Sequence, residues 1–238
     1  MIRLDDLCID NYKIYQDDNL YNFSTDSILL ANFIEFKKND TVIDFCSGNG
    51  VVGILGAIKN NYKKIYLVEI QEKLASLAQK SVEYNKLENI EVLNEDLKNL
   101  KQKFSSGSID VITCNPPYRK CDGQKQNDNI EISICNFEVK ITLEEIISTA
   151  SFLLKYSGKF YMVNSIDRLE ETICLLNKYN FKTKILNLCN PKANKNANVF
   201  MILAVKNGKS GIKVLPNLIL NDDDGNFLVK IKKGKNER

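Results

Sequence analysis

The sequence predicts an α/β protein, a mostly parallel sheet with helices on both faces, and three observations predict it. From residue 40 onward, short apolar runs alternate with segments of helical period, the pattern of repeated strand–helix–strand units. A glycine-rich turn joins the first of those runs to a helix. The chain has 238 residues, 44% hydrophobic and 26% charged, enough to bury one sizeable core without disulfides or metals.

In chain order, residues 1–39 form a short extension and 40–238 the domain on which it packs. NYKIYQ reads as a strand, half of a hairpin, and FSTDSILLANFIEF as a helix beginning near Ser24–Asp26, where capping residue types precede an apolar run. The first strand of the sheet is TVIDFC (41–46), and VVGILGAI opens a helix after the turn. KIYLVEI (64–70) is the second strand, and QEKLASLAQKSVEYN places Leu74, Leu77, Ala78 and Val82 on one helical face. IEVLNED (90–96) and IDVITCN (109–115) are the third and fourth strands. TLEEIISTASFLLK opens with Thr142 and Glu145 at capping-box spacing. KFYMVN (159–164) follows, then SIDRLEETICLLNKY with Leu169, Ile173 and Leu176 on one stripe, then KTKILNL (182–188) and NVFMILAVK (198–206). Crossovers separate the first five strands, which therefore run parallel, whereas about nine residues without helical pattern join the last two, which therefore pair antiparallel. The polar stretch 119–141 lies directly after a motif, a position that favours a functional loop.

Composition excludes several chemistries. The chain has no His, which removes serine–histidine and cysteine–histidine catalysis and every imidazole metal site. Seven Cys occur without a C-x-x-C pair, so no metal site is expected and the thiols read as reduced, mostly small buried hydrophobes. No run approaches the ~18 apolar residues of a membrane span, and the first residues are too acidic for a secretory signal. The expectation is a cytoplasmic protein without a membrane partner. Net charge is only +3, but Lys192, Lys195, Lys206, Lys209 and Lys213 follow one another with no intervening acid, and the tail is basic. On charge alone these are solvated surface.

The candidate site begins at VIDFCSGNGVVG. Gly48 and Gly50 let the backbone turn sharply and approach a ligand, and the following helix offers free N–H groups. With Gly53 the spacing is G-x-G-x-x-G, which by itself leaves NAD and other adenosine cofactors open. Glu69 stands near the end of the second strand, where a carboxylate accepts from both ribose hydroxyls. Two acids favour S-adenosylmethionine. Asp44 lies inside the first strand and needs a partner, which the ammonium of the methionine moiety would supply. Asp96 ends the third strand, placed to accept from an adenine amine. The fourth strand then delivers Asn115-Pro116-Pro117-Tyr118 to the carboxyl edge of the sheet, where ligand clefts lie. The nitrogen of a base amine or an amide has its lone pair delocalised. Acceptors aimed at its two hydrogens, the Asn115 oxygen and the Pro116 carbonyl, pull it toward a tetrahedral nucleophile, with the Pro pair fixing their direction. Tyr118 offers a ring to a planar target.

The set Asp44, Gly48, Gly50, Glu69, Asp96 and Asn115–Tyr118 resembles class I S-adenosylmethionine-dependent amino-methyltransferases over residues 40–206. That resemblance implies a Rossmann-like fold with a seven-stranded sheet of order 3-2-1-4-5-7-6 and an antiparallel last strand. FSTDSILLANF followed by VIDFCSGNGVVGILGA, and later NPKANKNANVFMILAVKNGK, is similar to the tRNA adenine-N6 methyltransferases acting at position 37 of valine tRNA. This implies that Thr25 and Asp26 help close the cofactor pocket. It also implies that Arg119, Lys120, Lys192 and Lys195 hold RNA, with the anticodon loop of tRNA as partner and a monomer as the simplest assembly.

Other substrates share the motif. Release-factor glutamine methyltransferases carry it behind a separate helical domain, and here only about forty residues precede the glycine strand. Guanine-N2 methylation of ribosomal RNA stays open, whereas DNA adenine methylation would need an additional target-reading region. A non-catalytic RNA-binding module would not need an intact Asn115–Tyr118 turn, and an NAD oxidoreductase leaves that turn unexplained.

Overall fold

The structure is a computed structural model that describes residues 1–118, 138 and 140–231. A hairpin of β1 (Ile2–Asp6) and β2 (Lys13–Asp17) precedes α1 (Thr25–Phe33). Then come β3 (Thr41–Phe45), α2 (Val51–Lys59), β4 (Lys64–Glu69), α3 (Glu72–Tyr84), β5 (Ile90–Asn94), α4 (Leu100–Lys103) and β6 (Ile109–Cys114). After the stretch outside the described residues follow α5 (Leu143–Leu153), β7 (Leu154–Ser165), α6 (Leu169–Lys178), β8 (Phe181–Asn190), β9 (Val199–Lys206), β10 (Lys213–Val214) and β11 (Leu218–Ile219).

The main sheet runs β5-β4-β3-β6-β7-β9-β8, which is 3-2-1-4-5-7-6 for the seven long strands. β3 through β7 are parallel, and β9 is antiparallel to both its neighbours. Among the described residues it has nine strands rather than the expected seven, because β10 and β11 each add a two-residue parallel pairing to β8. The lysine-rich stretch after residue 206 is thus partly tied to the sheet edge. Strand alternation explains the two cores. Val42, Leu67, Val111, Tyr161 and Met201 face α1 and α2, while Ile43, Val68, Ile112, Phe160 and Ile202 face α5 and α6. The capping box at Thr142 and Glu145 forms with both reciprocal bonds.

Three local expectations shift. The third strand ends at Asn94, so Asp96 starts a 3-10 turn, its carboxylate accepting from Lys98 N at 2.9 Å. Ser24 stands at the N-cap of α1 but makes no side-chain cap bond. Of the described cysteines, Cys114 and Cys189 are buried, Cys46 is half-buried, and Cys8 and Cys174 are exposed, all as free thiols, so burial is less general than expected. Cys121, Cys135 and the 119–137 stretch lie outside the described residues.

Candidate active site

The carboxyl ends of β3, β4, β5 and β6, roofed by the segment before α1, enclose a cavity of about 270 Å³. Its walls include Asp44, Gly48, Glu69, Asp96 and the whole Asn115–Tyr118 turn. Asp26 joins them from α1. Thr25, which opens the same helix, is exposed and not among the walls; Ser24 and Ser27 stand there instead.

The glycine turn is built by backbone geometry. Gly48 has φ +57° and Gly50 φ +87°, values that disfavour any residue with a Cβ. Gly48 would carry a Cβ into open space, whereas a Cβ on Gly50 would meet Leu67 Cδ1 at 2.9 Å. Gly48 therefore gives room on the cavity side, and Gly50, not a wall of the cavity, lets the turn pack on β4. Gly53 sits closer still, with Leu67 Cδ2 2.2 Å from its Cβ position.

Glu69 braces this turn. Its Oε2 accepts from Gly48 N at 2.8 Å and its Oε1 from Gln71 N at 3.0 Å. Burial pushes its carboxyl above the usual range, and those backbone bonds oppose the shift. Ile70 N adds a third backbone donor, and the lone pair left over faces a ligand hydroxyl. Asp44 differs from expectation: the chain itself supplies its partners. Oδ1 accepts from Thr113 Oγ1 at 2.6 Å and Oδ2 from Gly53 N at 3.1 Å, in the first turn of α2. Burial still pushes its carboxyl up to about 7, against those two bonds. A cation reaching the cavity would find it poised to ionise.

At the opposite wall, Asn115 Nδ2 donates to Ser27 Oγ at 3.1 Å, which fixes the amide so that Oδ1 is the acceptor presented to its surroundings. The Tyr118 hydroxyl oxygen lies 2.8 Å from both Asn115 Oδ1 and Asp26 Oδ2. Arg168, in the turn after β7, donates through Nη1 to the Tyr118 carbonyl at 3.1 Å and through Nη2 to Glu138 at 2.9 Å. Neither Ser27 nor Arg168 announces itself in sequence, since their partners lie 88 and 50 residues away.

The basic residues divide. Arg119 and Lys120 lie outside the described residues. Lys192 and Lys195 sit in the β8–β9 connection, at the sheet edge that carries the cavity, where Ile166 N donates to Asn198 O. Lys195 is exposed, while Lys192 Nζ donates to Asp223 O at 2.9 Å.

Two hydroxyls in the cavity wall, Ser24 Oγ and Ser47 Oγ, are buried without a hydrogen-bond partner. Together with the carboxylates and the glycine turn they fit a polar, cationic, adenosine-bearing ligand. Among the described residues there is no group of side chains that could hold a metal ion, and no helix is long and apolar enough to cross a membrane.

The family model of the methyltransferase small domain matches residues 21–184. A release factor glutamine methyltransferase of Mycoplasma mycoides is 27% identical over 193 residues, covering 72% of this chain and 67% of its own. A Methanocaldococcus jannaschii protein whose name also contains N5-glutamine methyltransferase is 30% identical over 185 residues, covering 74% of this chain and 88% of its own. A tRNA1(Val) (adenine(37)-N6)-methyltransferase of Dyadobacter fermentans is 25% identical, with 66% of this chain matched to 63% of its length. Among solved structures, a predicted O-methyltransferase of Agrobacterium tumefaciens superposes with a TM-score of 0.67 at 19% identity, over 84% of this chain and 89% of that one. TYW2 of M. jannaschii, solved in complex with AdoMet, gives 0.58 at 13% identity, over 86% and 84%.

Proposed function

Because the chain belongs to the methyltransferase small domain family, we propose that it transfers a methyl group from S-adenosylmethionine to N6 of an adenine in tRNA, at position 37 beside the anticodon of valine tRNA. One observation carries the reading: a cofactor-type wall and the Asn115–Tyr118 turn share a single cavity, with Tyr21 and Tyr118 both among its walls. Bound S-adenosylmethionine supplies a methyl made electrophilic by its positive sulfur. Glu69 takes the ribose hydroxyls, Asp44 the ammonium and Asp96 the adenine amine. Asn115 Oδ1 and the Pro116 carbonyl accept the two hydrogens of the target amine and loosen its lone pair from conjugation. Ser27 keeps the Asn115 amide in the orientation this needs. The Tyr118 ring stacks on a base taken out of its loop, a step costing a few kcal/mol that a strained anticodon loop reduces. Lys192 and Lys195 hold backbone phosphates, and Arg119 and Lys120 are assigned to the RNA on sequence grounds alone.

A second reading has support in the two relatives whose names contain glutamine methyltransferase. A side-chain amide also has a delocalised lone pair, and the same acceptors would serve it. The aromatic walls favour a planar base. The test is methyl transfer from isotope-labelled S-adenosylmethionine to unmodified tRNA, with release factor protein and DNA assayed in parallel and nucleosides identified by mass spectrometry. Labelled N6-methyladenosine in tRNA alone is the expected result. Label on protein glutamine would overturn the tRNA assignment and keep the chemistry.

A further inference from the structure

The Tyr118 hydroxyl has two acceptors at the same distance and one proton. Asp26 Oδ2 and Asn115 Oδ1 both lie 2.8 Å from it, and a phenol donates to only one of them at a time. The Asn115 amide cannot turn without losing its bond to Ser27. Its oxygen is therefore either engaged by the phenol or open to something else in the cavity. We propose that Asp26 is a positioning residue of the transfer step: its carboxylate draws the Tyr118 proton to itself and leaves Asn115 Oδ1 open to the target amine. The inference rests on the amino-transfer reading above and assigns Asp26 to the target side of the cavity.

The physical argument is a competition. A hydrogen bond to an ionised carboxylate is roughly twice as strong as one to a neutral amide oxygen, so ionised Asp26 wins the proton. Protonated Asp26 reverses the direction. Its own O–H then donates to the phenol oxygen, and the phenol proton is left to Asn115 Oδ1, the acceptor the target needs. The phenol and the thiols around this carboxyl do not titrate in its place. Burial, and then the nearby Asp26 charge, hold the Tyr118 phenol well above its ordinary value. Burial first and Asp26 second push the Cys189 thiol on β8 up to about 12. Burial likewise holds Cys114, behind Tyr118 on β6, in its neutral form. Tyr21 also raises the Tyr118 phenol, Asp44 and Glu69 line the wall across the cavity, and Lys140 is a cation among the walls. Burial raises the Asp26 carboxyl itself, with the Tyr118 bond opposing the rise, so its protonation falls above the usual carboxylate range.

The experiment compares kcat at saturating cofactor, and the cofactor Kd by calorimetry, for the wild type, Asp26→Ala, Tyr118→Phe and the double variant. Asp26→Ala leaves the phenol proton a single acceptor, Asn115 Oδ1, so kcat should fall about tenfold while Kd stays within about threefold. Adding Tyr118→Phe removes that proton and keeps the ring, so the double variant should regain most of what Asp26→Ala lost. Wild-type kcat should fall on the acid side, and Tyr118→Phe should lack that limb. A double variant no faster than Asp26→Ala would overturn the proposal. So would an Asp26→Ala protein that loses cofactor affinity with kcat intact. A wild type that methylates no amino nitrogen would fail the underlying reading and this inference with it; the other outcomes strike this inference alone.

Discussion

Asn115 and Asp44 show how differently two residues of one cavity can be read. On the proposed function Asn115 acts on the target, so Asn115→Ala should reduce methyl transfer by at least about a hundredfold while leaving cofactor affinity within about threefold. Calorimetry that finds affinity lost instead would remove it from the target side. On the same reading Asp44 acts on the cofactor. In the free protein its carboxyl ionises only near pH 7, because burial outweighs the bonds from Thr113 and Gly53. A bound ammonium favours the ionised form, so binding below that pH must release up to about one proton, and affinity must weaken as pH falls. Calorimetry at about pH 6 in buffers of different ionisation heat should reveal the release. Equal heats and flat affinity would separate Asp44 from the cation. Both residues were legible in sequence because each sits in a strand–turn context with its own chemistry. Ser27 and Arg168 were not: a serine on a helix and an arginine at a helix start acquire meaning only through partners brought by the fold.

At the level of elements, the contact between α2 and β4 sets the height of the glycine turn. Gly53 lies in the first turn of α2, and a Cβ there would stand 2.2 Å from a methyl of Leu67, which is fully buried. Gly53→Ala should therefore destabilise by about 1–3 kcal/mol through overpacking, and lower Tm by several degrees on a scale of about 2–4 °C per kcal/mol. An unchanged Tm would mean that Leu67 repacks without strain. The seven long strands were legible because the central ones bury both faces, and the alternation of Val42 and Ile43, or Phe160 and Tyr161, writes that into the chain. β10 and β11 were not. Two residues each, half-buried or exposed, carry too few apolar positions for any period to show.

Across the whole molecule, the cavity and the β8–β9 connection share one edge of the sheet, and this makes the charge distribution interpretable where net charge is not. Replacing Lys192 and Lys195 by Ala should weaken tRNA binding and flatten its salt dependence by about one to two units of slope. Because Lys192 already donates to Asp223 O, the larger share should fall on Lys195. An unchanged slope would return both to ordinary surface. The same edge carries Arg168, whose guanidinium holds the carbonyl of Tyr118 with one nitrogen and the carboxylate of Glu138 with another. Those two residues are the departure and return points of the chain between them. One side chain thus spans the splice junctions of a cassette. Segments of other length or composition could be grafted between Tyr118 and Glu138 with both anchors kept on this one guanidinium.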